Sequence, residues 1–197
     1  AHGGIITKAA DVITVDLGAI RNTPDGTASD GRFLEARSTL IPALDPGMAD
    51  ANVTHLRHLA VDAGGASKTT LTGSDKVSLL AAFDGDDTLN AGTGATWFYG
   101  GDGKDTASMA PYALGVTVAL VPEGKGWAAV SQSAGFYGAI HYSVENVIGT
   151  AFDDKITGNA QDNKISGGAG NDALAAGTGT DELAGGAGTD RFEGSRS

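Results

Sequence analysis

From Gly149 to Glu193 the chain reads GTAFDDKIT (149–157), GNAQDNKIS (158–166), GGAGNDALA (167–175), AGTGTDELA (176–184) and GGAGTDRFE (185–193). The sixth column of these nine-residue units holds Asp154, Asn163, Asp172, Asp181 and Asp190. Two residues later an apolar side chain stands every time: Ile156, Ile165, Leu174, Leu183 and Phe192. The units at 167 and 185 fit G-G-x-G-x-D-x-U-x in full, with U apolar. A period this short marks a solenoid, in which each unit buries its apolar side chain only by stacking on the next.

The same register runs earlier with more wear, as GGASKTTLT (64–72), GSDKVSLLA (73–81), AFDGDDTLN (82–90), AGTGATWFY (91–99) and GGDGKDTAS (100–108). Its apolar column continues through Leu71, Leu80, Leu89, Phe98 and Ala107, but only Asp87 and Asp105 keep the acid in a column otherwise held by Thr69, Ser78 and Thr96. Each unit is read as a six-residue turn that glycine permits, followed by a three-residue strand whose middle side chain points inward. Two units make one coil, so strands stack in two parallel sheets and turn n lies over turn n+2. The predicted fold is therefore all-β, a parallel β-solenoid.

Composition supports turns that hold cations. The 197 residues include 31 Gly, no Cys, and 13 Lys+Arg against 24 Asp+Glu, a formal charge of −11. Of the acids 19 are Asp and only Glu35, Glu123, Glu145, Glu182 and Glu193 are Glu. Asp beside Gly suits turns and hard-cation coordination, whereas a solvated helix would favour Glu. Sixth-column carboxylates with turn carbonyls supply the oxygen donors that Ca²⁺ prefers, while Mg²⁺ asks for tighter octahedral geometry. An acidic chain is a poor partner for nucleic acid. No apolar run reaches the ~18 residues of a membrane span, and the lack of Cys excludes disulfides and thiolate metal sites.

These columns resemble the calcium-binding nonapeptide repeats of the RTX (hemolysin-type) family over 64–108 and 149–193, and the run from Glu145 (E-N-V-I-G-T-A-F-D-D-K-I-T-G-N) is similar to the lead-in of such arrays. The resemblance implies a right-handed parallel β-roll, Ca²⁺ between stacked turns, export from bacteria by type I secretion, and folding outside the cell. Carried over column by column, it implies sites at Asp87 with Asp105, Asp154 with Asp172, Asn163 with Asp181, and Asp172 with Asp190. About four Ca²⁺ would bring the formal charge from −11 to about −3, so the ion-free chain repels itself along its Asp columns and folding is expected to be linked to calcium.

The remaining segments lie outside the repeat. Residues 109–148 form an insert read as solenoid coils with longer strands and an excursion, with a strand at Val116–Leu120, a turn over Pro122–Gly126 and a second extended stretch over 139–147, its apolar side chains expected to lie over the roll. Trp97 and Tyr99 flank inward Phe98 and so face outward, either to stack on sugars or to be covered by the insert or the amino-terminal segment. Residues 1–63 read as an irregular β-rich cap or the tail of an upstream domain, with strands at Val12–Leu17 and, as strand or helix, at 33–44 and 52–61. The last four residues, Gly194–Ser197, read as a cloning scar, which suggests a fragment of a longer protein.

Catalytic signals are sparse. His55 and His58 lack the Glu and spacing of a zinc-protease helix, His2 and His141 have no evident partner, and no nucleophile elbow or phosphate loop is present. Asp45-Pro46 is a dipeptide seen in self-cleaving modules. The pairs Asp86/Asp87 and Asp153/Asp154 imitate glycosidase carboxylates, yet one of each falls in the calcium column. The leading functional reading is a non-catalytic calcium-dependent folding and secretion module attached to upstream domains of an extracellular bacterial protein. The alternatives are a calcium-rigidified adhesin or surface-layer segment that meets a polysaccharide or cell surface, and a piece of a polysaccharide lyase or epimerase.

Overall fold

A computed structural model describes residues 68–194 except 76, 83 and 134, together with the backbone of strands at 5–9, 12–16 and 58–62. All regular structure among the described residues is β. In chain order the strands are β1 Ile5–Ala9, β2 Val12–Asp16, β3 His58–Asp62, β4 Thr70–Thr72, β5 Ser78–Ala81, β6 Thr88–Asn90, β7 Thr96–Tyr99, β8 Thr106–Ser108, β9 Val116–Ala119, β10 Trp127–Gln132, β11 Gly135–His141, β12 Asn146–Ile148, β13 Lys155–Thr157, β14 Lys164–Ala169, β15 Ala173–Ala175, β16 Glu182–Ala187 and β17 Arg191–Glu193.

A three-residue strand has no stability of its own. Stacking provides it here: Leu71 pairs with Leu89 and Leu89 with Ala107 in one sheet, Leu80 with Phe98 in the other, all in parallel and each pair two repeat units apart. The second array repeats this with Ile165 beside Leu183, Ile156 beside Leu174, and Leu174 beside Phe192. Successive units thus alternate between the two sheets to wind a parallel β-solenoid, as the period predicts. The inward column is its core. Leu71, Leu80, Leu89, Phe98, Ile156, Ile165 and Leu174 are fully buried, whereas Phe192 in the last coil is 52% exposed.

Glycines serve the stacking. At the second position, Gly186 has φ +107°, and a Cβ there would collide with the carbonyl of Gly168 one coil below. At the fourth position, Gly188 has φ +137° and lies equally close to the Gly170 carbonyl. Both the left-handed backbone and the close approach exclude a side chain.

The insert lengthens one coil. In one sheet β8 pairs directly with β12, so that Ala107 faces Val147 although the whole insert lies between them in sequence. In the other, that coil contributes three strands: β11 lies parallel on β7, β10 runs back antiparallel between β11 and β9, and β9 lies parallel on β13. Val116–Ala119 is a strand as expected, and the Lys125 N–H donates to the Pro122 carbonyl to close the turn. The expectation that the insert's apolar side chains lie over the roll is corrected. Val116, Val118, Val130 and Ile140 are buried in the same cluster as Phe98 and Ile156, because β11 and β9 pair in register with β7 and β13 and β10 lies between them in the same sheet.

The amino-terminal strands extend the sheet of β5 and β7. β3 is parallel to β5, and β2 and β1 follow as antiparallel neighbours. The strand expected at Val12–Leu17 is β2, and the element expected at 52–61 includes β3, whereas 33–44, Asp45-Pro46, His2, His55 and the terminal 195–197 lie outside the described residues.

Trp97 is buried, and Tyr99 is half-covered by the insert: its ring lies 4.6 Å from His141 and 6.5 Å from Trp127. His141, for which the sequence offered no partner, also has Nδ1 2.9 Å from the Ser143 hydroxyl.

Candidate metal centres

The sixth-position side chains form two ladders, one on each edge where the chain enters a strand. In each ladder a carboxylate reaches back one coil. Asp105 Oδ1 accepts from the Asp87 N–H at 2.8 Å, Asp172 Oδ1 from Asp154 N–H at 2.8 Å, Asp181 Oδ1 from Asn163 N–H at 2.9 Å, and Asp190 Oδ1 from Asp172 N–H at 3.0 Å. The four pairs drawn from the sequence are therefore neighbours in space, two repeat units apart along the chain. Asp87 Oδ1 continues the ladder onto Thr69 N–H, and Asp154 Oδ1 onto Val116 N–H.

The second carboxylate oxygen turns toward the first residue of its own turn. A Cβ built on Gly167 would collide with Asp172 Oδ2 and lie 2.8 Å from the Gly185 carbonyl. On Gly149 it would collide with Asp154 Oδ2 and the Gly167 carbonyl, and on Gly158 with the Ala176 carbonyl and Asn163 Oδ1. First-position glycine thus leaves a small oxygen-lined cradle between two stacked turns, made by a side chain of one coil and a carbonyl of the next. Among the described residues no three acidic or histidine side chains converge on one point, so backbone oxygens must complete any coordination shell here.

These oxygens are desolvated. Asp105, Asp154 and Asp172 are almost completely buried, and Oδ2 of Asp105 and of Asp172 has no hydrogen-bond donor. Burial is the largest cause of raised carboxyl pKa values at all three, and Asp105 is pushed up to about 7, with Asp87, Glu145 and Asp86 adding repulsion. A buried anionic oxygen lacking a donor is costly unless a cation meets it. All-oxygen donors without sulfur or imidazole select a hard divalent ion.

The RTX calcium-binding nonapeptide repeat family matches the chain over residues 81–107, 144–174 and 167–196, as four copies. Both arrays contain RTX calcium-binding repeats. RTX nonapeptide repeats bind calcium and are typical of proteins that bacteria secrete, and the cradles described above fit such an ion in charge and donor type. No curated protein matches the chain.

The residue that precedes the sixth-position column has a separate task in these turns. Asp86 Oδ1 accepts from Lys104 N–H at 2.9 Å, Asp153 Oδ1 from Asn171 N–H at 2.7 Å, Asp162 Oδ1 from Thr180 N–H at 2.8 Å, and Asn171 Oδ1 from Thr189 N–H at 2.9 Å. Fifth-position side chains therefore cap the coil after them while sixth-position side chains cap the coil before. Each junction closes by two hydrogen bonds of opposite sense. This explains the paired acids at 86/87 and 153/154 without a catalytic role. Asp153→Ala is expected to lower stability by about 1 kcal/mol, one solvent-exposed hydrogen bond, and to leave the number of bound ions unchanged. Thermal denaturation beside equilibrium dialysis checks both.

One member of the ladder escaped the sequence reading. Glu145 Oε2 accepts from Asp105 N–H at 3.0 Å, and the Glu145 carbonyl accepts from Asn163 Nδ2 at 2.8 Å. Glu145 thus fills the rung between Asp105 and Asn163. Its signal was present, since it lies two repeat units before Asn163 and just ahead of Val147, which pairs with Ile165.

Proposed function

We propose that this chain is a calcium-dependent folding module of a larger secreted bacterial protein. About four Ca²⁺ bind between stacked turns, using Asp87 with Asp105, Asp154 with Asp172, Asn163 with Asp181, and Asp172 with Asp190, plus the turn carbonyls. The observation that carries the reading is the cradle at first-position glycine, where a buried side-chain oxygen, donorless at Asp172, and a carbonyl of the next coil approach one point. Sites assembled from two coils exist only once those coils stack, so ion binding energy becomes folding energy. A chain exported through a type I channel would then stay unfolded in the low calcium of the cytosol and wind up outside. Asn163 contributes a neutral amide where the others contribute charge, so its site binds more weakly.

Circular dichroism of the purified chain during calcium titration tests this. The expected result is a cooperative gain of β signal at about 0.1 to 1 mM Ca²⁺, the range of extracellular modules, with none from Mg²⁺ and reversal by chelator. A chain that is fully folded in chelator and indifferent to Ca²⁺ would refute the proposal.

A further inference from the structure

The turn that ends the insert reproduces the cradle with different residues. A Cβ on Gly100 would collide with Asp105 Oδ2 and the Ser143 carbonyl, the same pairing of carboxylate and next-coil carbonyl seen at Gly149 and Gly167. Here the insert separates the two coils in sequence, where elsewhere one coil follows directly on the other. Asp105 is fully buried, and its Oδ2 has no donor. Glu145, itself buried, stands on the following rung with Oε2 on the Asp105 N–H, and its Oε1 meets Gln161 Nε2 only at 3.5 Å. The neighbouring N–H groups of Gly100 and Gly101 are occupied by the Ser143 hydroxyl at 3.1 Å each, so they leave the Asp105 oxygen without a donor.

We infer that the insert is fastened to the roll by a calcium site of its own, formed by Asp105, Glu145 and the Ser143 carbonyl, apart from the four repeat pairs. The longer Glu side chain suits this rung because the turn before it is tighter than a repeat turn: Val144 N–H donates to the His141 carbonyl, and the chain rises directly from β11 into the ladder. The site joins the first array, through Asp105, to the second, through the Asn163 bond to Glu145. The ion would set whether the β10–β11 hairpin stays docked and whether the two arrays fold as one unit.

The inference rests on calcium binding by the repeats, and the test separates the two. Bound calcium is counted by equilibrium dialysis on the whole chain and on Glu145→Gln and Gly100→Ala, with hydrogen exchange followed at saturating calcium. Glu145→Gln keeps an acceptor for the Asp105 N–H but removes the charge, and Gly100→Ala places a methyl in the cradle. Each is expected to bind one ion fewer than the unaltered chain. Exchange of 127–141 should quicken at least tenfold while 155–193 keeps its protection. That retained protection shows the variant is folded, and if Gly100→Ala lacks it, Glu145→Gln alone decides. An unchanged ion count in Glu145→Gln overturns the site while leaving the repeat sites standing, and an unaltered chain that binds no calcium overturns both.

Discussion

Replacing Asp172 by Ala is expected to raise the calcium concentration needed for folding more than any other single substitution in the ladders of the second array. Asp172 touches two stacked junctions. Its Oδ1 holds the Asp154 N–H, its Oδ2 lines the Gly167 cradle with the Gly185 carbonyl, and its own N–H binds Asp190 Oδ1. It would serve the ion shared with Asp154 and the ion shared with Asp190. A site saturated about 100-fold over its Kd contributes about 2.7 kcal/mol, so losing two removes about 5 kcal/mol, comparable with the whole stability of a small domain. At about 1 mM Ca²⁺, within the range of extracellular modules, the variant should show little β signal in the second array and recover only at far higher calcium. Asp190→Ala, which touches one junction, should cost about half as much. Equal midpoints for the two variants in a calcium titration would contradict the shared-ligand assignment.

The contrast between these aspartates shows what the sequence could and could not reveal. Inward and sixth-position columns were legible because a solenoid maps local periodicity directly onto space: residues two units apart become neighbours, and Leu89, Ile156 or Asp172 need no distant partner to be placed. The fifth-position caps were hidden because a side chain that bonds the backbone of another coil leaves no mark on residue type beyond favouring Asp or Asn. Asp153 and Asp154 look alike in sequence, yet one faces forward to Asn171 and the other back to Val116. The insert was legible as longer-stranded coils with an excursion and not in its register. Its strands pair Phe98 with Ile140 and Val118 with Ile156, separations that are no multiple of the repeat, and β10 bonds only to strands of the insert itself. Those registers interrupt the nine-residue count, and so Glu145 fell from view as a rung.

Acid is expected to do part of the work of calcium. Asp105, Glu145, Asp154 and Asp172 all have raised pKa values, with burial the largest cause at each, and Asp105 reaches about 7. In the metal-free chain the folded state therefore binds protons that the unfolded state releases. Stability of the metal-free fold is greatest below the ordinary carboxylate range, at about pH 4, and is lost as pH rises toward about 7. Metal-stripped protein should accordingly show more β structure and a higher melting temperature at pH 5 than at pH 8. Saturating calcium reverses the sign. A bound cation holds the same carboxylates ionised in the folded state, so protons compete with it and stability falls on acidification. General repulsion from a formal charge of −11 would also relax in acid, but salt separates the two causes. About 0.5 M NaCl screens exposed charges and leaves buried ones nearly untouched, so the acid preference of the metal-free chain should survive it. If salt abolishes the preference, the ladder carboxylates are hydrated when calcium is absent and the cradles form only around the ion. If it persists, the solenoid is built with its anionic oxygens already in place, and calcium relieves a cost that the stacked turns have created.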